Sequence, residues 1–179
     1  MANISIYVTN LGKYNEGYLV GEWLELPATD EEIAATLEKI GISDEPDGFG
    51  RYYEEYFITD YESEIDGLKI GEYDSIDELN ELAEKLEDVD EEQFAAALYF
   101  SSNFDEAIEI LDDVIYITTP RGFETDEEAV GMYYVYELGC LSIPPELENY
   151  IDFEAYGRDI MINGSFYTAE SGAIYEVIR

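Results

Sequence analysis

Residues 74–113 read DSIDELNELAEKLEDVDEEQFAAALYFSSNFDEAIEILDD and contain 15 Asp and Glu residues against a single base, Lys85. Acidic runs of this density are usually disordered. In this run, however, apolar residues recur at the three- and four-residue spacing of one buried helix face. These residues are Ile76, Leu79, Leu82, Ala83, Leu86 and Val89. The pattern therefore predicts helices whose buried faces hold the carboxylates outward in fixed positions.

The acidic stretch is predicted to form a compact helical unit with short connections. Its helices cover residues 76–88, 92–100 and 105–111, and Asn103 caps the last of them. Upstream, strands are predicted over 3–9, 18–26 and 55–60, with a loop over 10–17 and a helix over 30–40. Thr29 and Glu32 have the spacing of a capping box at the start of that helix.

Downstream of the acidic stretch, a β-branched strand is predicted over 114–118. A second capping box, Thr125 with Glu128, begins a helix that extends to Leu138. Short helical turns are predicted near 146–150 and 152–156, and the turn dipeptide at 171–172 favours a closing hairpin of 165–169 with 173–178. The fold class is therefore α+β, in three segments. These are an α/β N-terminal lobe over 1–73 (a small sheet plus one helix), an acidic helical domain over 74–113, and a C-terminal α+β domain over 114–179.

The composition excludes several function classes. The formal net charge is −36, from 44 acids against 8 bases, so the surface repels nucleic acid and anionic membrane and attracts basic proteins and cations. Hydrophobic residues make up 46% of the chain, which is enough for a folded core. There is no His, which removes the commonest general base and zinc ligand. Without an apolar leader or a long apolar run, the sequence predicts a soluble, cytoplasmic protein.

The carboxylates on the first acidic helix form the main candidate surface. Asp77, Glu81, Glu84 and Asp88 step by three or four residues, which places neighbours roughly 5–6 Å apart. Because duplex DNA carries about one charge per 1.7 Å of axis, a net charge of −36 corresponds to roughly 18 base pairs, or about 60 Å of duplex. The alternatives are a merely solvated face and adaptation to high salt.

Metal binding and catalysis have weaker support. Asp44, Glu45 and Asp47 with the glycines at 48 and 50 resemble a calcium loop, but the ligand register fails. Paired carboxylates can hydrolyse glycosides, yet no second feature supports this, and there is neither a G-x-S-x-G motif nor a phosphate-binding glycine loop. We therefore expect no metal site, no cofactor and no enzyme activity.

Aromatic residues cluster on the helix that begins at Thr125. Tyr133, Tyr134 and Tyr136 are consistent with core packing or with a self-complementary dimer patch, since Tyr is enriched at interfaces. Cys140 is the only cysteine, so no internal disulfide can form. Its apolar context, LGCLSI, predicts a buried small residue.

Two stretches resemble the ArdA antirestriction proteins. One is IYVTNLGKYNEG over Ile6–Gly17 with LVGEWL over Leu19–Leu24, and the other is PELENYIDFEAYGRD over Pro145–Asp159. The turns G-x-F at Gly164 and G-x-x-Y-E at Gly172 and the segment DSIDEL at 74–79 also fit. The resemblance spans nearly the whole chain, and the motifs near its two ends are specific.

This resemblance implies a DNA mimic carried by mobile genetic elements. Such proteins are similar to bent duplex and occupy the DNA-binding groove of type I restriction-modification enzymes, in the methyltransferase core. The resemblance also implies an elongated chain of three small domains and a homodimer joined through the C-terminal domain. The alternative is an acidic inhibitor or chaperone of another basic DNA-binding protein, and a third possibility is an unrelated halophilic domain.

The residue predictions follow from both arguments. The phosphate-mimicking carboxylates are predicted to be Asp77, Glu78, Glu81, Glu84, Asp88, Glu109, Asp112, Asp113, Asp126 and Glu127. The dimer interface is predicted to lie within 133–141 and to include Tyr133, Tyr134, Tyr136, Leu138 and Leu141.

Overall fold

The structure is a computed structural model and describes residues 4–178. It contains 41% helix and 19% strand, which confirms the α+β class. The chain divides into two compact units, of which the first ends at Glu91 and the second begins at Glu92. The three predicted domains, with boundaries at 73/74 and 113/114, stay a prediction.

The first unit contains a three-stranded antiparallel sheet. Its strands are β1 (Ile4–Asn10), β2 (Gly21–Leu26) and β3 (Tyr56–Ser63), in the order β2-β1-β3. Side chains alternate across β1, so that Ile4, Ile6 and Val8 are buried on the inner face. All three predicted strands are confirmed, although β2 begins three residues later and β3 ends three residues later than predicted.

A short helix, α1 (Leu11–Asn15), occupies part of the segment predicted as a loop. Asn10 is fully buried, and its Oδ1 accepts a hydrogen bond from the Lys13 N–H at 2.9 Å. The Asn10 Nδ2 and the Lys13 Nζ both donate to the Ile40 carbonyl, at 3.2 and 3.0 Å. The loop prediction is wrong because one helical turn has no periodicity to detect, and bonds to a residue 30 positions away hold it in place.

Two longer helices complete the first unit, α2 (Asp30–Lys39) and α3 (Ile76–Lys85). The capping box at Thr29 is confirmed. The Thr29 N–H and hydroxyl donate to the Glu32 carboxylate at 2.9 and 2.8 Å, and the Glu32 N–H donates back to the Thr29 hydroxyl at 3.3 Å. The backbone bond from Thr29, followed by the hydroxyl bond, holds the pKa of Glu32 below its ordinary value.

We expect Glu32→Gln to be less stable than the parent protein at neutral pH, and the difference to vanish in acid. Because the folded pKa lies below the unfolded one, the carboxylate stabilises the fold above the unfolded pKa and loses this effect as pH falls through the folded pKa. Urea unfolding from neutral pH to about pH 3 measures the difference. Glu31→Gln removes the same charge from the same helical turn, so an equal pH dependence in both variants would contradict the prediction.

The second unit combines helices with a small antiparallel sheet. Its elements are α4 (Glu91–Tyr99), α5 (Phe104–Glu109), β4 (Val114–Tyr116), α6 (Asp126–Tyr136), α7 (Phe153–Asn163), β5 (Phe166–Thr168) and β6 (Ile174–Val177). Short 3-10 helices lie at Leu111–Asp113 and Pro145–Tyr150. The strand order is β4-β6-β5, and all four residues of β6 are buried. The predicted closing hairpin and the Asn103 cap are confirmed.

Helices α6 and α7 pack against each other at two glycines. A Cβ atom added to Gly157 would overlap the Glu127 carbonyl and lie 2.7 Å from the Gly131 nitrogen. One added to Gly131 would overlap the Phe153 carbonyl. The two helix backbones are therefore in direct contact, which only residues without a side chain permit.

The sequence predicts a single helical turn near 152–156, but α7 has 11 residues. Gly157 at its centre disfavours a helix locally, and packing against α6 overrides that preference. The prediction that Cys140 is buried is also wrong, because this residue is exposed. Cys140 lies beyond the end of α6 at Tyr136, in an exposed segment of the chain. It directly follows Gly139, which has a positive φ of 64°.

Candidate protein-binding surface

The outer face of α3 carries the first group of predicted carboxylates. Asp77, Glu78, Glu81 and Glu84 are exposed, while Ile76, Leu79, Asn80, Leu82 and Ala83 form the buried face. Asp88 is exposed too, but it lies in the turn that follows, since α3 ends at Lys85 rather than at the predicted residue 88. A buried helix face thus fixes these carboxylates in orientation.

Asn80 is the polar residue that attaches α3 to the rest of the first unit. Its side chain is 8% exposed. The Asn80 Oδ1 accepts from the Ala28 N–H at 2.7 Å, and the Nδ2 donates to the Ala28 carbonyl at 3.0 Å and to the Glu84 carboxylate at 3.2 Å. One amide therefore satisfies both backbone groups of Ala28 and positions one exposed carboxylate.

We expect Asn80→Ala to destabilise the first unit by about 1–3 kcal/mol, because the buried N–H and C=O of Ala28 lose their partner. Urea unfolding followed by circular dichroism measures this loss. Asn15→Ala, at an exposed position of the same unit, is the control and should change stability by about 0.5 kcal/mol or less. Equal effects from the two variants would show that the Asn80 amide does not anchor α3.

The second unit carries the other five predicted carboxylates. Glu109, Asp112 and Asp113 are exposed at the end of α5 and in the 3-10 helix that follows. Asp126 and Glu127 are half-buried in the first turn of α6. The Asp126 carboxylate accepts from the Thr168 hydroxyl at 2.7 Å, so it also supports the fold.

Few of the acids are neutralised by a base. Ion pairs join Lys39 to Glu22 at 2.7 Å, and Arg51 to Glu16 and Asp47 at 2.6 and 2.8 Å. Within residues 4–178, none of the ten predicted carboxylates forms an ion pair. Both units are strongly acidic, with 26 acids against 5 bases up to residue 91 and 18 against 3 beyond it.

The predicted dimer residues divide into buried and exposed groups. Tyr133 is 8% exposed and packs in the core with Ile117 and Ile174. Tyr134 is half-buried, and its hydroxyl donates to the buried Glu176 carboxylate at 2.5 Å. Burial, followed by this bond, raises the pKa of the Tyr134 phenol.

The remaining three dimer residues are on the surface. Tyr136 is 36% exposed, Leu138 50% and Leu141 43%. Apolar side chains of this size at adjoining positions are available to a partner, whereas Tyr133 serves the core. The assignment of the interface stays a prediction.

The loop that resembles a calcium site is organised around an arginine. The Asp47 Oδ1 accepts from the N–H groups of Phe49 and Arg51 at 2.8 and 2.9 Å. The backbone bond from Arg51 is the main reason why the pKa of Asp47 lies below its ordinary value. Among the described residues there is no group of three or more potential metal ligands.

No helix in the described part of the chain is long and apolar enough to cross a membrane.

A second surface, on the outer face of the β2-β1-β3 sheet, was not predicted from the sequence. We call it the sheet groove, and it has a volume of about 620 Å³. It is lined by four aromatic and two acidic side chains, among others: Tyr7, Tyr14, Trp23, Phe57, Asp60 and Glu72. The outward positions of Tyr7 and Trp23 on the predicted strands were the only signal in the sequence.

These observations define a class of protein: a small α+β protein with many solvent-accessible carboxylates, of which the ten predicted ones form no ion pair within residues 4–178. A family model described as antirestriction protein (ArdA) matches residues 6–175. The chain therefore belongs to the ArdA family of antirestriction proteins. This is a family of inhibitors of restriction-modification enzymes, not a known enzyme family. No curated protein matches the chain.

Proposed function

We propose that this antirestriction protein is a DNA mimic that occupies the DNA-binding groove of a type I restriction-modification enzyme. The observation that carries the proposal is the set of ten predicted carboxylates, all solvent-accessible and none paired with a base within residues 4–178. They lie on or next to helices and not in a disordered tail, so their spacing within each unit is fixed.

The charge of the protein supports this assignment. A net −36 is equivalent to roughly 18 base pairs of duplex. Lys and Arg residues that normally contact DNA phosphates pair with Asp and Glu instead. The enzyme gains electrostatic contacts without receiving a strand that it can cleave or a base that it can methylate, so it remains occupied.

The binding surface within the enzyme is the methyltransferase core, because this part holds the recognised DNA. The protein acts in the cytoplasm and protects incoming mobile genetic elements that carry it. A homodimer formed through the C-terminal region, with Tyr136, Leu138 and Leu141 at the contact, presents two carboxylate surfaces in a symmetric arrangement. The exposure of these three side chains supports the dimer.

The alternative is an inhibitor or chaperone of another basic DNA-binding protein. The same exposed carboxylates favour it, because electrostatic attraction alone does not select one basic groove over another. The two functions differ in the partner and in whether DNA competes for the same surface.

The experiment that tests the proposal is binding of the purified protein to a type I methyltransferase core, with duplex DNA as competitor. We expect mutual exclusion, so that each ligand raises the apparent dissociation constant of the other. A ternary complex of enzyme, DNA and protein would place the carboxylates on another surface. No binding to the core in low salt would leave the inhibitor of a different basic protein as the better assignment.

A further inference from the structure

The sheet groove has a composition suited to one particular side chain. Tyr7 and Trp23 meet edge to face with ring centroids 5.3 Å apart, and Tyr14 meets Phe57 in the same way at 5.0 Å. Trp23 is 40% exposed and Tyr14 47% exposed, so the rings remain accessible to a ligand. Aromatic faces of this kind attract cations, and guanidinium groups most often.

A β-bulge adds a carboxylate to this aromatic face. Tyr7 pairs with Asp60 and Val8 with Ile58, so Thr59 is an extra residue in β3. Regular alternation would place one of two consecutive side chains on the inner face. Because of the bulge, Thr59 and Asp60 both line the sheet groove. The Thr59 hydroxyl is hydrogen bonded to that of Thr9 at 2.8 Å, which holds the bulge in place.

Among the described residues, no base pairs with the carboxylates of the sheet groove. One oxygen of Asp60 accepts from the Tyr61 N–H at 2.9 Å. In the part of the chain that the structure describes, neither Asp60 nor Glu72 forms an ion pair. The sheet groove thus combines unpaired negative charge with apolar ring surface.

The protein itself shows how it holds a guanidinium. The Arg51 Cζ lies 5.3 Å from the Phe49 ring centroid and 5.6 Å from that of Tyr53. The same guanidinium pairs with Asp47 and Glu16. Two rings and two carboxylates therefore surround one arginine. The sheet groove presents the same types of group, and none of its described lining residues is an arginine.

We propose that the sheet groove binds an arginine side chain from a basic segment of the partner protein. The planar guanidinium stacks on the rings and donates hydrogen bonds to Asp60 and Glu72, which a lysine ammonium cannot do in the same geometry. The carboxylates of α3 act collectively, whereas the sheet groove is a discrete contact. The inference rests on the proposed function only for the identity of the partner.

The binding test uses Trp23, the single tryptophan of the chain, as its reporter. Tri-arginine and tri-lysine peptides carry equal charge and are titrated against the full-length protein at matched ionic strength. We expect a saturable change in tryptophan fluorescence, with the arginine peptide binding about tenfold more tightly than the lysine peptide. Equal affinity for the two peptides, or no change with either, would overturn the inference.

Two pairs of variants distinguish binding of the peptide in the sheet groove from attraction of the peptide to the overall negative charge of the protein. Asp60→Asn keeps an acceptor for the Tyr61 N–H but removes the charge, and Glu72→Gln removes the second charge. Each should weaken arginine-peptide binding by about tenfold. Asp44→Asn and Glu38→Gln remove equal charges from exposed positions of the same unit, outside both the sheet groove and the predicted carboxylate set, and each should change affinity by about twofold or less. Equal losses in all four variants would mean diffuse attraction only.

The outcome is independent of the enzyme-binding test. A protein that excludes DNA from the methyltransferase core but fails to discriminate arginine from lysine would be a DNA mimic without this contact. A protein that binds the arginine peptide through the sheet groove but leaves DNA on the core would keep the contact and lose the proposed function.

Discussion

Binding to the type I methyltransferase core should weaken by about 10³-fold between 50 and 200 mM salt, near the lower end of the loss seen when a protein contacts six to ten DNA phosphates. In the proposed complex, the enzyme's Lys and Arg residues would contact these carboxylates, and salt would screen each such contact. A titration of core with protein at several salt concentrations measures the slope. Duplex DNA measured in parallel gives the reference slope for the same groove.

The salt effect should arise from many carboxylates and not from one. Single replacements on α3, such as Glu81→Gln, are expected to change affinity by about two- to fivefold, the range of exposed ion pairs. Neutralising Asp77, Glu81, Glu84 and Asp88 together should flatten the salt slope. Circular dichroism at both ends of the salt series is the control for folding, since a halophilic protein would fold only in high salt. A flat slope for the parent protein would contradict DNA mimicry.

Gly157→Ala is expected to destabilise the second unit by about 3 kcal/mol or more, at the upper end of overpacking effects. Helix propensity alone would predict that this substitution stabilises the protein, because alanine is favoured over glycine inside a helix by about 1 kcal/mol. The added methyl group, however, would overlap the Glu127 carbonyl. Backbone atoms cannot rotate away as a side chain can, so α6 and α7 must separate. Chemical unfolding, together with dimer formation measured by sedimentation, would detect the change.

Gly122→Ala is the matched control for this substitution. A Cβ at residue 122 meets nothing within 4 Å, and its backbone needs no positive φ. We therefore expect no loss of stability, and a gain of up to about 1 kcal/mol from the smaller entropy of the unfolded chain. If Gly157→Ala behaves like Gly122→Ala, the helices are not in backbone contact at this point.

The acidic helix α3 was predictable because its information is local. Spacing of apolar residues by three and four positions follows from hydrogen bonds between residues four apart. Ser75 caps α3 by accepting a bond from the Glu78 N–H, and the capping box of α2 acts over the same three-residue span. The predicted capping box of α6 forms only in part: Thr125 accepts from the Glu128 N–H, but the Glu128 carboxylate accepts from the Glu124 N–H and not from Thr125. The outward orientation of Asp77 and Glu81 follows from the same periodicity.

Other elements depend on residues far apart in the chain. The one-turn helix α1 exists because Asn10 and Lys13 bond to the Ile40 carbonyl. The full length of α7 depends on Gly157 meeting α6, although glycine locally argues against a helix. Neither contact leaves a periodic pattern in the sequence, so neither element could be predicted at its observed extent.

By itself, the sequence determined the α+β class, the net charge, the acidic face of α3 and, through its two end motifs, membership of the ArdA family. Only the tertiary structure decided which polar groups serve the fold and which face solvent. The Asn80 amide is hydrogen bonded to the backbone of Ala28, 52 positions away. The pairing register of β1 with β3 places the bulge, and the bulge directs the Asp60 side chain into the sheet groove. Composition and periodicity describe neighbours along the chain, whereas register and close packing are set by residues that meet only after folding.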